Sequence, residues 1–146
     1  ASRVLAVVFG NDAPLTEELP IPAASLGRLQ GEDALAAAYN CADVVVVPSL
    51  EDNLPNVALE AIACGAPVAA FDVCGMPDIV KDGWNGRLAA GGDSDGLGRA
   101  LVEMLQTRAS FLAMRSNARS HAEENFSLSR QAHSYLSLYE SLLAGH

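Results

Sequence analysis

The stretch DVVVVPSLEDNLPNVALEAIACGAPVAAF, residues 43–71, decides how this chain is read. Four consecutive valines, 44–47, ended by Pro48, form an apolar β-branched run suited to a strand. A polar, proline-containing connection follows, and then NVALEAIAC, which is helical by composition. Pro55 falls just before or inside the first turn of that helix, where a missing amide hydrogen costs nothing. Gly65 suits the residue after the helix end, and Pro67 prevents continuation. APVAAF is then a second buried strand. Strand, helix, strand is the repeating unit of a parallel sheet with helices on its faces.

The same logic extends outward. VLAVVFG, residues 4–10, is a continuous apolar run ending in glycine, as in a strand buried on both faces. NDAPLTEELPIP is an acidic, proline-broken connection with room for one weak helical turn. PAASLGRL holds a short strand ending near Gly27. GEDALAAAYNCA has acidic residues at its start and good helix formers after, which predicts a helix over residues 32–40. DVCGMPDIV reads as a loop leading into a short helical turn, and KDGWNGRL as a glycine-rich turn with a small hairpin. From Ser94 onward three helices are expected, and the last helices, with Phe126 between two of them, are expected to pack on the sheet. Trp84 either covers an edge of the core or stacks on a base or a partner domain.

The fold class predicted is α/β: a Rossmann-like three-layer domain with a mostly parallel sheet, residues 1–146 forming a single domain of about four strands. That is few for a free-standing doubly wound domain. With the abrupt opening strand, it leads us to expect a longer protein from which a first strand-helix unit has been trimmed.

Half of the residues are apolar, which excludes a disordered tail. Nine basic against 18 acidic residues give a formal charge of -9, which argues against a nucleic-acid surface and against a basic membrane-binding patch. Cys41, Cys64 and Cys74 lack CxxC spacing and read as small buried hydrophobes in a reducing compartment; with His121, His133 and His146 they form no ligand motif, so no metal is expected. No signal-peptide pattern and no membrane-spanning run is present, which points to the cytoplasm, with the inner membrane face as a further station for a longer protein. GxSxG, GxxxxGK[ST] and GxGxxG are all absent.

In an open α/β sheet, ligands bind beyond the carboxyl ends of the strands, so residues 49–56 form a candidate rim. A helix starting near Pro55 aims free backbone amides at that space, and such amides favour an anion such as phosphate. A carboxylate beside a phosphate is useful only where it meets hydroxyls. Glu60, one to two turns into the helix, can accept hydrogen bonds from a ribose diol. Together these features suggest a nucleotide or nucleotide-sugar. Local sequence leaves other readings open: Asp52 or Asn53 as a cap of a turn or of the helix, Asn56 as a turn residue, Glu51 as an exposed neighbour, Glu60 as solvent-facing or paired with Lys or Arg.

Residues 48–56, PSLEDNLPN, continuing through Leu59, Glu60 and Ala61, resemble the donor-site signature of the GT-B glycosyltransferases of family 4, also called group 1. That signature is two acidic residues separated by seven others, then a small-residue helix end and a Gly-x-Pro-Val strand. Asp52 and Glu60 match the pair, with Asp where Glu is usual, and residues 65–68, GAPV, match the continuation. Residues 71–80 resemble the family loop that carries two adjacent glycines, with Cys74 in place of the first; residues 82–88 resemble the turn after it. The Asp-Asn-Leu-Pro-Asn variant is similar to members acting in bacterial polysaccharide synthesis.

The resemblance implies the C-terminal half of a GT-B fold, which binds a nucleotide-activated sugar, with transfer retaining the anomeric configuration and no required metal or cofactor. Asp52 and Glu60 would be the catalytic pair, Glu60 also holding the ribose hydroxyls and Asp52 lying near the donor sugar. The amides of Asn53, Leu54, Pro55's neighbour Asn56 and Val57 would face the sugar and diphosphate, with Pro55 shaping the turn. Gly27, Arg28 and Leu29 would line the nucleobase pocket. The donor would be a UDP-sugar ahead of a GDP-sugar. The saccharide or lipid-linked acceptor would sit mainly on an N-terminal domain. The family's basic pair for the diphosphate has no counterpart before Val4, where Arg3 stands alone, so this stretch alone is expected to be inactive. An exposed apolar face on the last helix would be an interdomain surface able to promote homodimers. The alternatives are a GT-B-like nucleotide-sugar epimerase and a non-catalytic binding module. At Cys74 a side chain restricts any backbone that needs positive φ, and Asp78 stands where the family often has Glu.

Overall fold

The computed structural model describes residues 4–10, 19–106 and 108–144, which divide into two compact units, residues 1–38 and 39–146. In the first unit β1 (Ala6–Phe9) pairs in parallel with β2 (Ala23–Gly27), with a register shift between Val8 and Phe9. Helix α1 (Glu32–Cys41) follows and the division falls within it. Of the connection at residues 11–22, with its room for one weak helical turn, residues 11–18 lie outside the described residues, as do the lone Arg3 and His146.

The second unit runs β3 (Val45–Val47), α2 (Asn56–Ala63), β4 (Val68–Asp72), α3 (Met76–Ile79), β5 (Gly86–Ala90), α4 (Ser94–Gln106), α5 (Arg108–Asn125) and α6 (Leu128–Ala144). Its sheet has the order β3-β4-β5, with both pairings parallel: Val45 lies opposite Val68, and Val68 opposite Gly86. The α/β fold with a parallel sheet is therefore as read from the sequence.

Central β4 is buried at residues 68–71 in succession, so both of its faces are covered. Ala69 and Phe71 point into a cluster with Ala89 of β5 and Leu97 and Met104 of α4. Val68 and Ala70, one residue out of phase, face the opposite way and are equally closed to solvent. Helix α2 packs on β3, β4 and α5, and α4 packs on β4 and β5. Arg115 of α5 donates to the Ala42 carbonyl at 2.9 Å, and Arg119 donates to the Ala63 carbonyl, tying α5 to the entry of β3 and the exit of α2.

Helix α2 ends as its residues dictate. Gly65 adopts φ +70°, its N–H reaches the Ile62 carbonyl at 2.9 Å, and the Ala66 N–H reaches Ala61 at 2.9 Å. This is a Schellman ending, which the glycine makes inexpensive.

Four expectations change. The hairpin read into KDGWNGRL is a turn followed by β5, a strand parallel to β4, which raises the strands of the described residues to five. Its sequence, GRLAA, has little β-branched character; its pairing with β4 makes it a strand. The cysteines are not buried: Cys41 and Cys74 are exposed and Cys64 is half-buried. The helix begins at Asn56 with Pro55 at the cap position and no side-chain cap, so of the capping readings of Asp52 and Asn53 only the turn at Asp52 holds. Finally, α6 buries none of its residues, so it does not pack on the sheet.

Candidate functional site

The rim predicted after the four valines exists. From β3 the chain passes through exposed residues 50–54 to Pro55, which is buried, and enters α2. Asp52 Oδ1 accepts the Leu54 N–H at 3.3 Å, an Asx-type turn that sets the loop and occupies one carboxylate oxygen. The Ala58 and Leu59 amides both return to the Pro55 carbonyl, at 3.0 and 3.2 Å. The Asn56 and Val57 amides have no carbonyl a turn behind them, so the helix start presents two donors and the positive end of its dipole. Both residues are exposed. Glu60 lies one turn from Asn56 on the same helix face.

Glu60 is exposed and has no ion-pair partner among the described residues. Its partner is instead Tyr39, whose hydroxyl donates to Glu60 Oε2 at 2.9 Å. Tyr39 belongs to the end of α1 and is only 2% exposed. Burial, then the hydrogen bond to Glu60 and its charge, pushes the Tyr39 phenol well above its ordinary value, so it stays a neutral donor. Burial also pushes the Cys64 thiol up, with Arg119 opposing and Glu60 adding to the shift, which favours the un-ionised thiol.

A second loop closes on the first. A Cβ on Gly75 would lie 1.9 Å from the Asn53 carbonyl oxygen, so only glycine lets the loop after β4 pack on the loop after β3. Cys74 just before it is exposed and adopts φ +49°, the left-handed conformation that glycine would take freely; for a cysteine this costs about 1 kcal/mol. Asp78 is exposed; its carbonyl oxygen lies 3.2 Å from Nε2 of buried His121. Trp84, 43% exposed, meets His121 edge-on at 5.6 Å, and His121 meets Phe126 at 5.5 Å. Trp84 therefore covers an edge of the core.

The residues singled out from the sequence fall into two groups. Asp52, Asn53, Leu54, Pro55, Asn56, Val57 and Glu60 are brought together by one loop and the helix it opens. Gly27, Arg28 and Leu29 stand at the carboxyl end of β2, in the first unit; Gly27 adopts φ +60° and its carbonyl accepts the Gly10 N–H at 2.9 Å. The sequence reading missed Tyr39, and it quoted Gly75 only as the second position of the glycine pair without its close approach to Asn53. A tyrosine in an alanine-rich helix looks like any core aromatic, and the register that aims it at Glu60 exists only once α1 and α2 are placed. Among the described residues no group of three or more His, Cys, Asp or Glu could hold a metal.

The pattern that describes the glycosyl transferases group 1 matches residues 6–107. The chain belongs to the glycosyl transferases group 1 family. Within that family it is 38% identical over 128 residues to a D-inositol 3-phosphate glycosyltransferase of Mycolicibacterium paratuberculosis, covering 87% of this chain and 29% of that protein. The chain thus spans less than a third of the length of that curated relative. It superposes with a TM-score of 0.82 on sucrose-phosphate synthase of Thermosynechococcus elongatus, at 28% identity, over 96% of this chain and 39% of that one. HepE of Anabaena in complex with UDP superposes with a TM-score of 0.72 at 26% identity, over 82% and 32%. The C-terminal domain of a group 1 glycosyl transferase from Francisella tularensis superposes with a TM-score of 0.68 at 20% identity, over 78% and 60%. The fold is thus that of the C-terminal half of a GT-B glycosyltransferase.

Proposed function

We propose that this chain is the donor-binding part of a retaining glycosyltransferase that takes a nucleotide-diphosphate sugar, with UDP favoured as the nucleotide. The observation that carries the reading is a single juxtaposition. Two open amides at the start of α2 stand one helical turn from a carboxylate that has no ion-pair partner among the described residues. The amides suit the diphosphate and the carboxylate suits hydroxyls, so the pair fits a ligand that carries both. Glu60 accepts the ribose hydroxyls. Asp52 lies near the donor sugar, one of its oxygens held by the Leu54 amide. The amides of residues 53–57 face the sugar and diphosphate, with Asn56 and Val57 the open pair.

In the transfer, the bond from the anomeric carbon to the diphosphate oxygen breaks and one to an acceptor hydroxyl oxygen forms on the same face. The acceptor proton leaves with the departing diphosphate. Charge then builds on the diphosphate, where donors such as the α2 amides have most effect. The saccharide or lipid-linked acceptor is assigned to the part of longer family members that this chain does not match, and residues 1–146 alone bind donor without transferring it. UDP in HepE supports the choice of nucleotide. The apolar residues that α6 leaves exposed, Leu136 and Tyr139 among them, support the reading of that helix as an interdomain or homodimer surface. The test is an NMR titration with UDP and with GDP, repeated on Glu60→Ala. Saturable shifts around residues 53–60 with UDP, weakened about tenfold or more in the variant, are expected. Shifts of equal size in the variant would remove Glu60 from the site.

A further inference from the structure

We propose that Tyr39 is the positioning residue of the donor site, its hydroxyl gripping Glu60 Oε2 so that the carboxylate presents its remaining lone pairs to a vicinal diol. The inference rests on the reading of Glu60 as the acceptor for ribose hydroxyls and adds what holds it there.

Glu60 is an exposed side chain on an exposed helix face. Left free, it would sample many rotamers, and ordering it would be charged against every binding event. The structure holds it by a 2.9 Å hydrogen bond from a ring that is itself 2% exposed and fixed in the packed interior. The type of partner matters. Arg119 of α5 lines a groove with Glu60 between α2 and α5, but it is engaged elsewhere: its Nε meets Glu123 Oε1 at 2.7 Å and its guanidinium reaches the Ala63 carbonyl. An arginine on Glu60 would orient it but would also offset the charge that makes it a strong acceptor. A neutral phenol orients it and leaves the charge in place.

The acceptor arithmetic closes as well. An ionised carboxylate has about four lone-pair sites. Tyr39 takes one of them on Oε2, and Oε1 has no protein hydrogen bond among the described residues. A diol needs two. Fixing Oε2 against a buried ring sets the plane of the carboxylate, and a bidentate acceptor depends on that plane.

The experiment compares UDP with 2′,3′-dideoxy-UDP by calorimetry on the full 146-residue chain, as wild type, Tyr39→Phe and Glu60→Gln. In the wild type UDP binds more tightly than its dideoxy analogue. In Tyr39→Phe that preference falls about tenfold while the dideoxy affinity stays unchanged, because the hydroxyl that grips Glu60 is lost and the ring remains. Three results overturn the proposal in distinguishable ways. If Glu60→Gln abolishes the preference and Tyr39→Phe leaves it intact, Glu60 is the ribose acceptor and Tyr39 does not position it. If Tyr39→Phe weakens both nucleotides equally, the tyrosine is structural only. If Glu60→Gln leaves the preference intact, or the wild type shows none, the reading of Glu60 fails and the inference fails with it. Should Tyr39→Phe not fold, a ring-fluorinated tyrosine at position 39 gives the same answer. Its more acidic phenol donates a stronger hydrogen bond to Glu60, so the preference must differ from that of the wild type while the dideoxy affinity does not; an unchanged preference overturns the proposal.

Discussion

Helices α2 and α6 are opposites in a way that neither length nor composition foretells. Helix α2 has 8 residues, too few to be stable as an isolated helix, yet Ala58, Ala61 and Ile62 are fully closed to solvent. Helix α6 has 17 residues and carries Leu128, Tyr135, Leu136, Tyr139, Leu142 and Leu143 at helical spacing, yet buries none of them. Tyr135 and Tyr139, one turn apart, stack on each other at 6.2 Å. An apolar stripe shows that a helix has a face to bury. It does not show that the surface to bury it against lies in the same chain. The short helix is held by what surrounds it, and the same surroundings aim its amides and Glu60 at the rim.

The strongest way to break this contrast is to truncate both helices alike. Ile62→Ala opens a cavity in a site with no exposure and should cost about 2–5 kcal/mol of unfolding free energy. Leu136→Ala, at a residue 59% exposed, should change stability by less than about 0.5 kcal/mol. Urea unfolding at unchanged slope reads both. Comparable losses at the two positions would show that α6 is packed in solution.

A smaller effect sharpens the picture of the packed region. Asn85 is fully buried; its Oδ1 accepts the Lys81 N–H at 2.7 Å and its Nδ2 donates to the Ile79 carbonyl at 3.0 Å. It clamps the exit of α3 to the entry of β5. Asn85→Ala leaves two backbone groups without their partner and should cost about 2 kcal/mol, read from the same urea curves. A change near zero would show that water replaces the side chain there.

The smallest effect is invisible at neutral pH. Because the Tyr39 phenol is held above its ordinary value, the folded state keeps its proton where the unfolded chain releases it. That contribution is complete below pH about 10 and is lost as pH rises beyond it. Chemical unfolding from pH 7 to 12 should show stability falling above pH about 10, and Tyr39→Phe should flatten that part of the curve. A fall of equal size in the variant would assign it to other groups.

How much was legible follows from how local each feature is. The valine strand, the helix entered through Pro55, the glycine ending at Gly65 and the next buried strand were all readable in residues 43–71, because each depends on neighbours in sequence. The spacing of Asp52 and Glu60, and with it the family, was readable for the same reason. The positive φ at Cys74 was legible as a question and was answered by the fold. Strand β5 was not legible, since GRLAA becomes a strand by pairing with β4. The exposure of the cysteines, the solvent-facing α6 and the close approach of Gly75 to Asn53 depend on which surfaces meet.

The sequence by itself determined the kind of layers, the order of the elements of the second unit up to the turn at Trp84, and the chemistry available at the rim. Local propensity, capping and spacing carry that information along the chain. Only the tertiary structure decided that Glu60 is held by a buried tyrosine 21 positions away rather than by a cation. A hydrogen bond between two helices depends on their relative rotation and depth, and packing sets both.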